Sequence, residues 1–179
     1  RVGIIGTGSS GIQSIPHLAA AAEHLTVFQR TPNYAFPAHV TPTDPDFETY
    51  VKEHYRQVRD MQRASAIGVS GFTRPTEDGQ EQGLGFGALA GFSSLSDPEL
   101  NRSIRETFAG LVRSRVHDPD VADALIPKDY PVGCKRLVIE IDYYETYNRD
   151  NVSLVDLRKG GITEITPTGV TTEQGRVDL

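Results

Sequence analysis

Val2-Gly3-Ile4-Ile5, running into Gly6-Thr7-Gly8-Ser9-Ser10-Gly11, is the stretch that decides the fold. The short apolar run reads as a buried parallel strand. Beyond the glycines, Ile12, Ile15, Leu18, Ala19 and Ala22 recur at helical spacing. Leu25-Thr26-Val27-Phe28-Gln29 is then a second strand, rich in β-forming residues. Strand, glycine turn, helix and strand within about 30 residues make a βαβ unit with a right-handed crossover. The string G-x-G-x-x-G is weak by itself, but after a strand and at the opening of a helix it marks dinucleotide binding. Gly6 makes the tight turn, Gly8 admits a pyrophosphate close to the backbone, and Gly11 lets the helix lie near the strand. The helix start adds free N–H groups and the positive end of its dipole. Thr7, Ser9 and Ser10 offer hydroxyl donors, and Gln13 sits one turn further in. The simpler alternative is a turn that merely needs glycines.

The end of the second strand selects among nucleotides. Sites for NAD or FAD place Asp or Glu there to bind a ribose 2′-hydroxyl. This chain has Gln29-Arg30-Thr31 and no acid. Arg30 would attract a 2′-phosphate and can bind it as a fork. A hydrogen bond to a charged group is worth roughly 1.5–3 kcal/mol, so NADPH is expected over NADH by about one to two powers of ten per good contact. A solvated surface arginine is the alternative reading of Arg30.

Further along, Pro32, Pro37, Pro42 and Pro45 make residues 31–46 an irregular loop. Residues 47–66 read as one helix with Phe47, Tyr50, Val51, His54, Tyr55, Val58 and Met61 on a shared face. Residues 68–94 are rich in Gly, Ser and Thr and read either as a mobile loop or as a helix packed on something absent. The run 83–96 is a lid or a plain loop. A helix opens at Ser96-Asp97-Pro98-Glu99, capped by Ser96 or Asp97, with a stripe of Ile104, Phe108, Leu111 and Val112. Asp118-Pro119-Asp120 starts a shorter helix that stops before Pro127. Tyr143, Tyr144 and Tyr147 sit on a short helix and Val152–Val155 on a strand. Residues 162–179 alternate around Pro167-Thr168-Gly169 and Gln174-Gly175 as an antiparallel meander. The expected fold is α/β: a Rossmann-like three-layer domain with a parallel sheet, a small antiparallel meander and a helical insertion. Residues 1–43 and 128–179 form the nucleotide-binding domain, and 44–127 the insertion.

Composition excludes several classes. With 37% hydrophobic and 23% charged residues in 179, the chain can build a core and is not of disordered composition. A net charge of −6 argues against a general nucleic-acid binder. No apolar run approaches the ~20 residues that span a bilayer. The single Cys134 excludes an internal disulfide framework and makes a reducing, cytoplasmic setting the default. Cys134 reads as a small structural residue rather than a reactive thiol. His17, His24, His39, His54 and His117 form no spaced ligand set, so no metal is expected. The chain opens on a strand without Met and closes at Val177-Asp178-Leu179 as another strand begins, so it is expected to be a piece of a longer chain.

Gly133-Cys134-Lys135-Arg136 is a second cationic stretch, leaving a Pro-bounded loop. Surface exposure is its ordinary fate. In a parallel sheet, however, such loops gather at the ligand-binding end. Lys135 then supplies a second charge for a 2′-phosphate, and Arg136 faces the nicotinamide end.

Gly6–Gln13, Val27-Phe28-Gln29-Arg30-Thr31-Pro32 and Gly133-Cys134-Lys135-Arg136 together closely resemble the NADPH domain of flavin-dependent Baeyer–Villiger monooxygenases. Tyr143-Tyr144-Glu145, Tyr147-Asn148-Arg149 and Asn151-Val152 are also similar to that family, most of all to its phenylacetone and steroid monooxygenase branch. The resemblance implies an FAD domain in the same parent chain, with its F-x-G-x-x-x-H-x-x-x-W string upstream. It also implies insertion of one oxygen atom of O2 into a ketone, giving an ester or lactone. Arg30, Thr31 and Lys135 would hold the 2′-phosphate. Arg136 would match the family's mobile catalytic arginine, a cation that stabilises negative charge on the oxygenated flavin. This piece alone is expected to be inactive. Two other readings stay open: the NADPH domain of another two-dinucleotide flavoenzyme (an N-hydroxylating monooxygenase or a reductase), and a non-catalytic NADPH-sensing module.

Overall fold

The computed structural model describes residues 1–38, 42–64 and 94–179. Of the segment 68–94 and the run 83–96, only the part from Ser94 onward is described, where Ser94–Ser96 form a 3-10 turn; His39 also lies outside the described residues. The chain divides into two compact units, Arg1–Pro37 with Ala90–Leu179, and Ala38–Leu89.

In the first unit, β1 (Val2–Ile5), β2 (Leu25–Gln29) and β5 (Val152–Asp156) form a parallel sheet in the order β1-β2-β5. The register sets Ile5 opposite Phe28, and Gln29 opposite Asp156, so three strand ends meet at one edge. β2 is central and wholly buried. β1 has a single neighbour among the described residues, which leaves Ile5 54% exposed rather than buried as its apolar run suggests. Helix α1 (Ser9–Ala21) packs Ile12, Ile15 and Ala19 of the expected stripe inward, with Leu18 partly buried and Ala22 just past the helix end. Pro16 lies inside α1 and removes a backbone donor, a loss of about 3 kcal/mol in an isolated helix that burial of this stripe offsets. Asn151 ties the far end of α1 to β5, donating from Nδ2 to Ala19 O (2.9 Å) and Ala22 O (3.0 Å).

A second parallel pair, β3 (Ala35–Pro37) with β4 (Val138–Glu140), packs against α1. Helix α4 (Pro98–Arg115) is capped by Asp97, whose carboxylate accepts from Glu99 and Leu100 N–H, and α5 (Pro119–Leu125) by Asp118 in the same way. Phe108 and Val112 of α4 lie in one core with Ile15, Val27, Tyr34 and Tyr144. That packing is why 98–125 falls in the first unit, whereas the sequence reading assigned the whole of 44–127 to the insertion. The last turn of α4 is clamped to β4 and to the short helix α6 (Tyr143–Thr146). Arg115 forks onto Glu145 (2.5 and 2.6 Å) and reaches the fully buried Glu140 at 2.7 Å. The meander is β6 (Ile162–Thr166), β7 (Gly169–Thr172) and β8 (Gly175–Asp178), antiparallel as expected.

In the second unit the single helix expected over 47–66 is two, α2 (Pro45–Glu53) and α3 (Tyr55–Ala64). His54 ends α2: its N–H donates to Tyr50 O, its Nδ1 lies 3.0 Å from the same oxygen, and its ring stacks on Tyr50. The shared face is thereby broken; Tyr50 and Tyr55 are exposed while Val58 is buried.

Candidate functional site

The glycine turn behaves as its spacing requires. Gly6 has φ +99°, a left-handed conformation that favours glycine, and its N–H donates to Phe28 O at 2.8 Å. A Cβ on Gly11 would stand 2.4 Å from Gly6 O, so only glycine lets α1 start this close to β1. A Cβ on Gly6 or Gly8 would meet nothing within 4 Å, which leaves the surface over the turn open. Gly8 is the N-cap of α1, with no side-chain cap and no acid in the first turn. The first N–H groups of the helix therefore have no intrahelical partner. Ser9 and Ser10 are exposed beside them. Gln13 is turned elsewhere, its Nε2 donating to Ile139 O at 3.4 Å and joining α1 to β4.

Thr7 departs from its expected role. Its hydroxyl is buried and shares one proton between Gln29 Oε1 (3.2 Å) and Thr31 O (3.1 Å), so it fastens the turn to the end of β2 instead of pointing at a ligand. Gln29 is wholly buried, with its Nε2 donating to Ala124 O at 2.9 Å. Asn33 completes the clasp, donating to Thr7 O at 2.9 Å. With its neighbours fixed, Arg30 stands exposed at the crest of β2, and no hydrogen bond or ion pair engages it among the described residues. Thr31 is half-buried and engages Thr7 through its carbonyl.

The second basic stretch is anchored from two sides. Asn101, buried at the start of α4, donates to Val132 O (3.0 Å) and accepts from Val132 N–H (3.2 Å). Tyr130 reaches the β2 loop, its hydroxyl 2.6 Å from Pro32 O and 3.0 Å from Asn33 Oδ1. Burial pushes the Tyr130 hydroxyl well above an ordinary phenol, so it stays a neutral donor. The Lys135 ammonium lies over the Tyr130 ring, 4.3 Å from its centroid. The structure thus joins the glycine turn, the Arg30 loop and Lys135 through Asn33 and Tyr130. Arg136, the next residue after Lys135, is exposed, and no hydrogen bond or ion pair links it to the rest among the described residues.

One acid does lie near. Asp156, in register with Gln29, ends β5. Arg158 binds it from Nε (2.8 Å) and Nη2 (2.7 Å), and those bonds hold its carboxyl below the usual carboxylate range. It is already engaged and is not free for a ribose hydroxyl. Sequence reasoning missed Gln29, Asn33, Asn101, Tyr130, Asp156 and Arg158. The only local signal was Tyr130 beside Pro131 at the mouth of the basic loop. Taken together, unpartnered helix N–H groups, open backbone over Gly6 and Gly8, and the exposed cations Arg30 and Lys135 suit an extended anion.

Among the described residues, no group of three or more His, Cys, Asp or Glu could hold a metal ion. No helix among them is long and apolar enough to cross a membrane.

No family profile matches the chain. It is 40% identical over 195 residues to the 2-oxo-Δ3-4,5,5-trimethylcyclopentenylacetyl-CoA monooxygenase of Pseudomonas putida, covering 100% of this chain and 36% of that protein. It is 39% identical to a phenazine N-monooxygenase of Lysobacter antibioticus, covering 98% of this chain and 35% of that one. It is 36% identical to a Baeyer–Villiger monooxygenase of Pseudooceanicola batsensis, covering 98% and 35%. Among solved structures, an oxidized steroid monooxygenase bound to NADP superposes with a TM-score of 0.85 at 41% identity, over 100% of this chain and 37% of that one. The chain thus spans little more than a third of the length of the relatives it matches. Along its whole length, in sequence and in fold, it is homologous to the Baeyer–Villiger monooxygenases.

Proposed function

We propose that this chain is the NADPH-binding part of an FAD-dependent monooxygenase that inserts one atom of O2 into a ketone. The balance is ketone, O2, NADPH and a proton giving ester or lactone, NADP+ and water. The observation that carries the reading is the crest of β2. It presents Arg30 where an NAD site keeps an acid, Gln29 is turned into the core, and Asp156, in register with Gln29 on the next strand, is paired with Arg158. The residues fit the cofactor. Gly8 leaves room for the pyrophosphate, and the start of α1 supplies N–H donors. Arg30, Thr31 and Lys135 would hold the 2′-phosphate, with Ser9 and Ser10 beside the pyrophosphate. NADPH supplies the hydride and FAD activates the oxygen; FAD would be held chiefly by the parent protein outside these residues. Arg136, exposed and free of an ion pair among the described residues, would, by its match to the family's mobile arginine, stabilise negative charge during oxygen transfer. The parent's partners on this reading are a ketone, O2 and its own FAD domain, in the cytoplasm.

A second reading, N-oxygenation, is favoured by the phenazine N-monooxygenase relative, since both chemistries need the same NADPH site. One assay separates the two: NADPH oxidation by the full-length enzyme with panels of ketones and nitrogen heteroaromatics, product mass read for one added oxygen. Esters from ketones uphold the proposal, and N-oxides alone overturn it. Arg136→Ala should still reduce flavin with NADPH but lose oxygenated product; product near wild-type yield would remove Arg136 from the mechanism.

A further inference from the structure

Lys135 is an exposed side chain on a flexible four-carbon stem, which left alone would sample many rotamers. It has no carboxylate partner among the described residues, and its ammonium is held over the Tyr130 ring at 4.3 Å. The ring is itself fixed. Its hydroxyl lies 2.6 Å from Pro32 O, the Tyr130 backbone carbonyl accepts from Tyr34 OH at 3.1 Å, and the Tyr34 ring meets it edge-on at 5.4 Å between centroids. Asn33, the second acceptor near that hydroxyl, is bonded to the backbone of the glycine turn. A continuous path therefore runs from the turn, through Asn33 and Tyr130, to the second cation.

We propose that Tyr130 is a positioning residue for cofactor selection: it presents the Lys135 ammonium at a fixed place beside the Arg30-Thr31 loop. The proposal rests on the reading of Arg30 and Lys135 as 2′-phosphate ligands. Tyr130 acts through Lys135, so its loss should lower the preference for NADPH over NADH, whereas a purely structural loss would weaken both cofactors alike.

The test is a double-mutant cycle in the full-length enzyme, reading KM and Kd for NADPH and NADH. Tyr130→Leu should cut the NADPH/NADH preference roughly three- to five-fold, the scale of an exposed cation–π contact. In a Lys135→Ala background the same change should have little further effect on that preference. If Lys135→Ala lowers the preference and Tyr130→Leu does not, the Tyr130 proposal falls while the phosphate reading stands. If neither Lys135→Ala nor Arg30→Ala lowers it, the phosphate reading falls first. Should Tyr130→Leu fail to fold, Tyr130→Phe and a ring-fluorinated phenylalanine at the same position carry the test. They share a shape and differ in the charge of the ring face. A lower preference in the fluorinated protein supports the proposal, and equal preferences overturn it.

Discussion

Replacing Gly11 by alanine tests how tightly the turn and helix are coupled. The added carbon would sit 2.4 Å from the Gly6 carbonyl oxygen, an unyielding backbone atom. Carbon and oxygen approach comfortably at about 3.3 Å, so turn and helix must part by roughly 0.9 Å. Overpacking of this kind costs about 1–3 kcal/mol, and alanine recovers up to about 1 kcal/mol of helix propensity over glycine. With the full recovery subtracted the net loss is about 0–2 kcal/mol, or a fall in Tm of up to about 8 °C for a chain of this size. The same displacement moves the free N–H groups of the first turn, so NADPH affinity falls as well. Gly8→Ala provides the contrast. Its backbone is extended (φ −81°, ψ −175°) and an added carbon meets nothing within 4 Å. Only a poorer N-cap is created, at about 0.5–1 kcal/mol, yet the methyl stands where the pyrophosphate approaches. Circular-dichroism melts and calorimetric NADPH titrations should therefore show stability and affinity falling together for Gly11→Ala, and mainly affinity for Gly8→Ala. A Gly11→Ala protein with unchanged Tm and affinity would refute the reasoning.

Removing Arg115 should be far more damaging than removing its exposed partner. Arg115→Met leaves the buried Glu140 uncompensated and should cost about 3–5 kcal/mol, whereas Glu145→Ala, at a half-exposed carboxylate, should cost about 1 kcal/mol or less; urea midpoints give both. Acid should destabilise the fold through Asp156 and Glu145. Hydrogen bonds from Arg158 and Arg115 respectively hold their folded-state pKa values down, so their contribution is complete above the ordinary carboxylate value of about 4 and is lost as pH falls through the folded values. Asp156→Asn should flatten that part of the Tm-against-pH curve, and an unchanged slope would contradict the assignment.

What the sequence made legible is what local signals encode. The βαβ unit follows from periodicity and glycine spacing, the caps at Asp97 and Asp118 from short-range chemistry, and the meander from alternation broken by turn residues. What it hid depends on distant pairing. Asp156 matters only because β5 lies beside β2 in that register, and Tyr130 only because its hydroxyl reaches a loop some hundred positions away. Thr7 looked like a phosphate donor because hydroxyls flank glycines in such turns; the buried Gln29 claims it instead. The break at His54 was equally hidden, since apolar spacing continues across it while its own backbone and ring turn to Tyr50 O. Residues 98–125 looked insertional by order along the chain, but Phe108 and Val112 lie in the core of the first unit.

The most direct test of the account is cofactor discrimination by the full-length enzyme carrying Arg30→Ala and Lys135→Ala together. With two charge-assisted contacts removed, the preference for NADPH over NADH should fall by about a hundredfold or more. Equal weakening of both nucleotides, or an unchanged preference, would contradict the claim that Arg30 at the end of β2 and Lys135 of the second basic stretch read a 2′-phosphate.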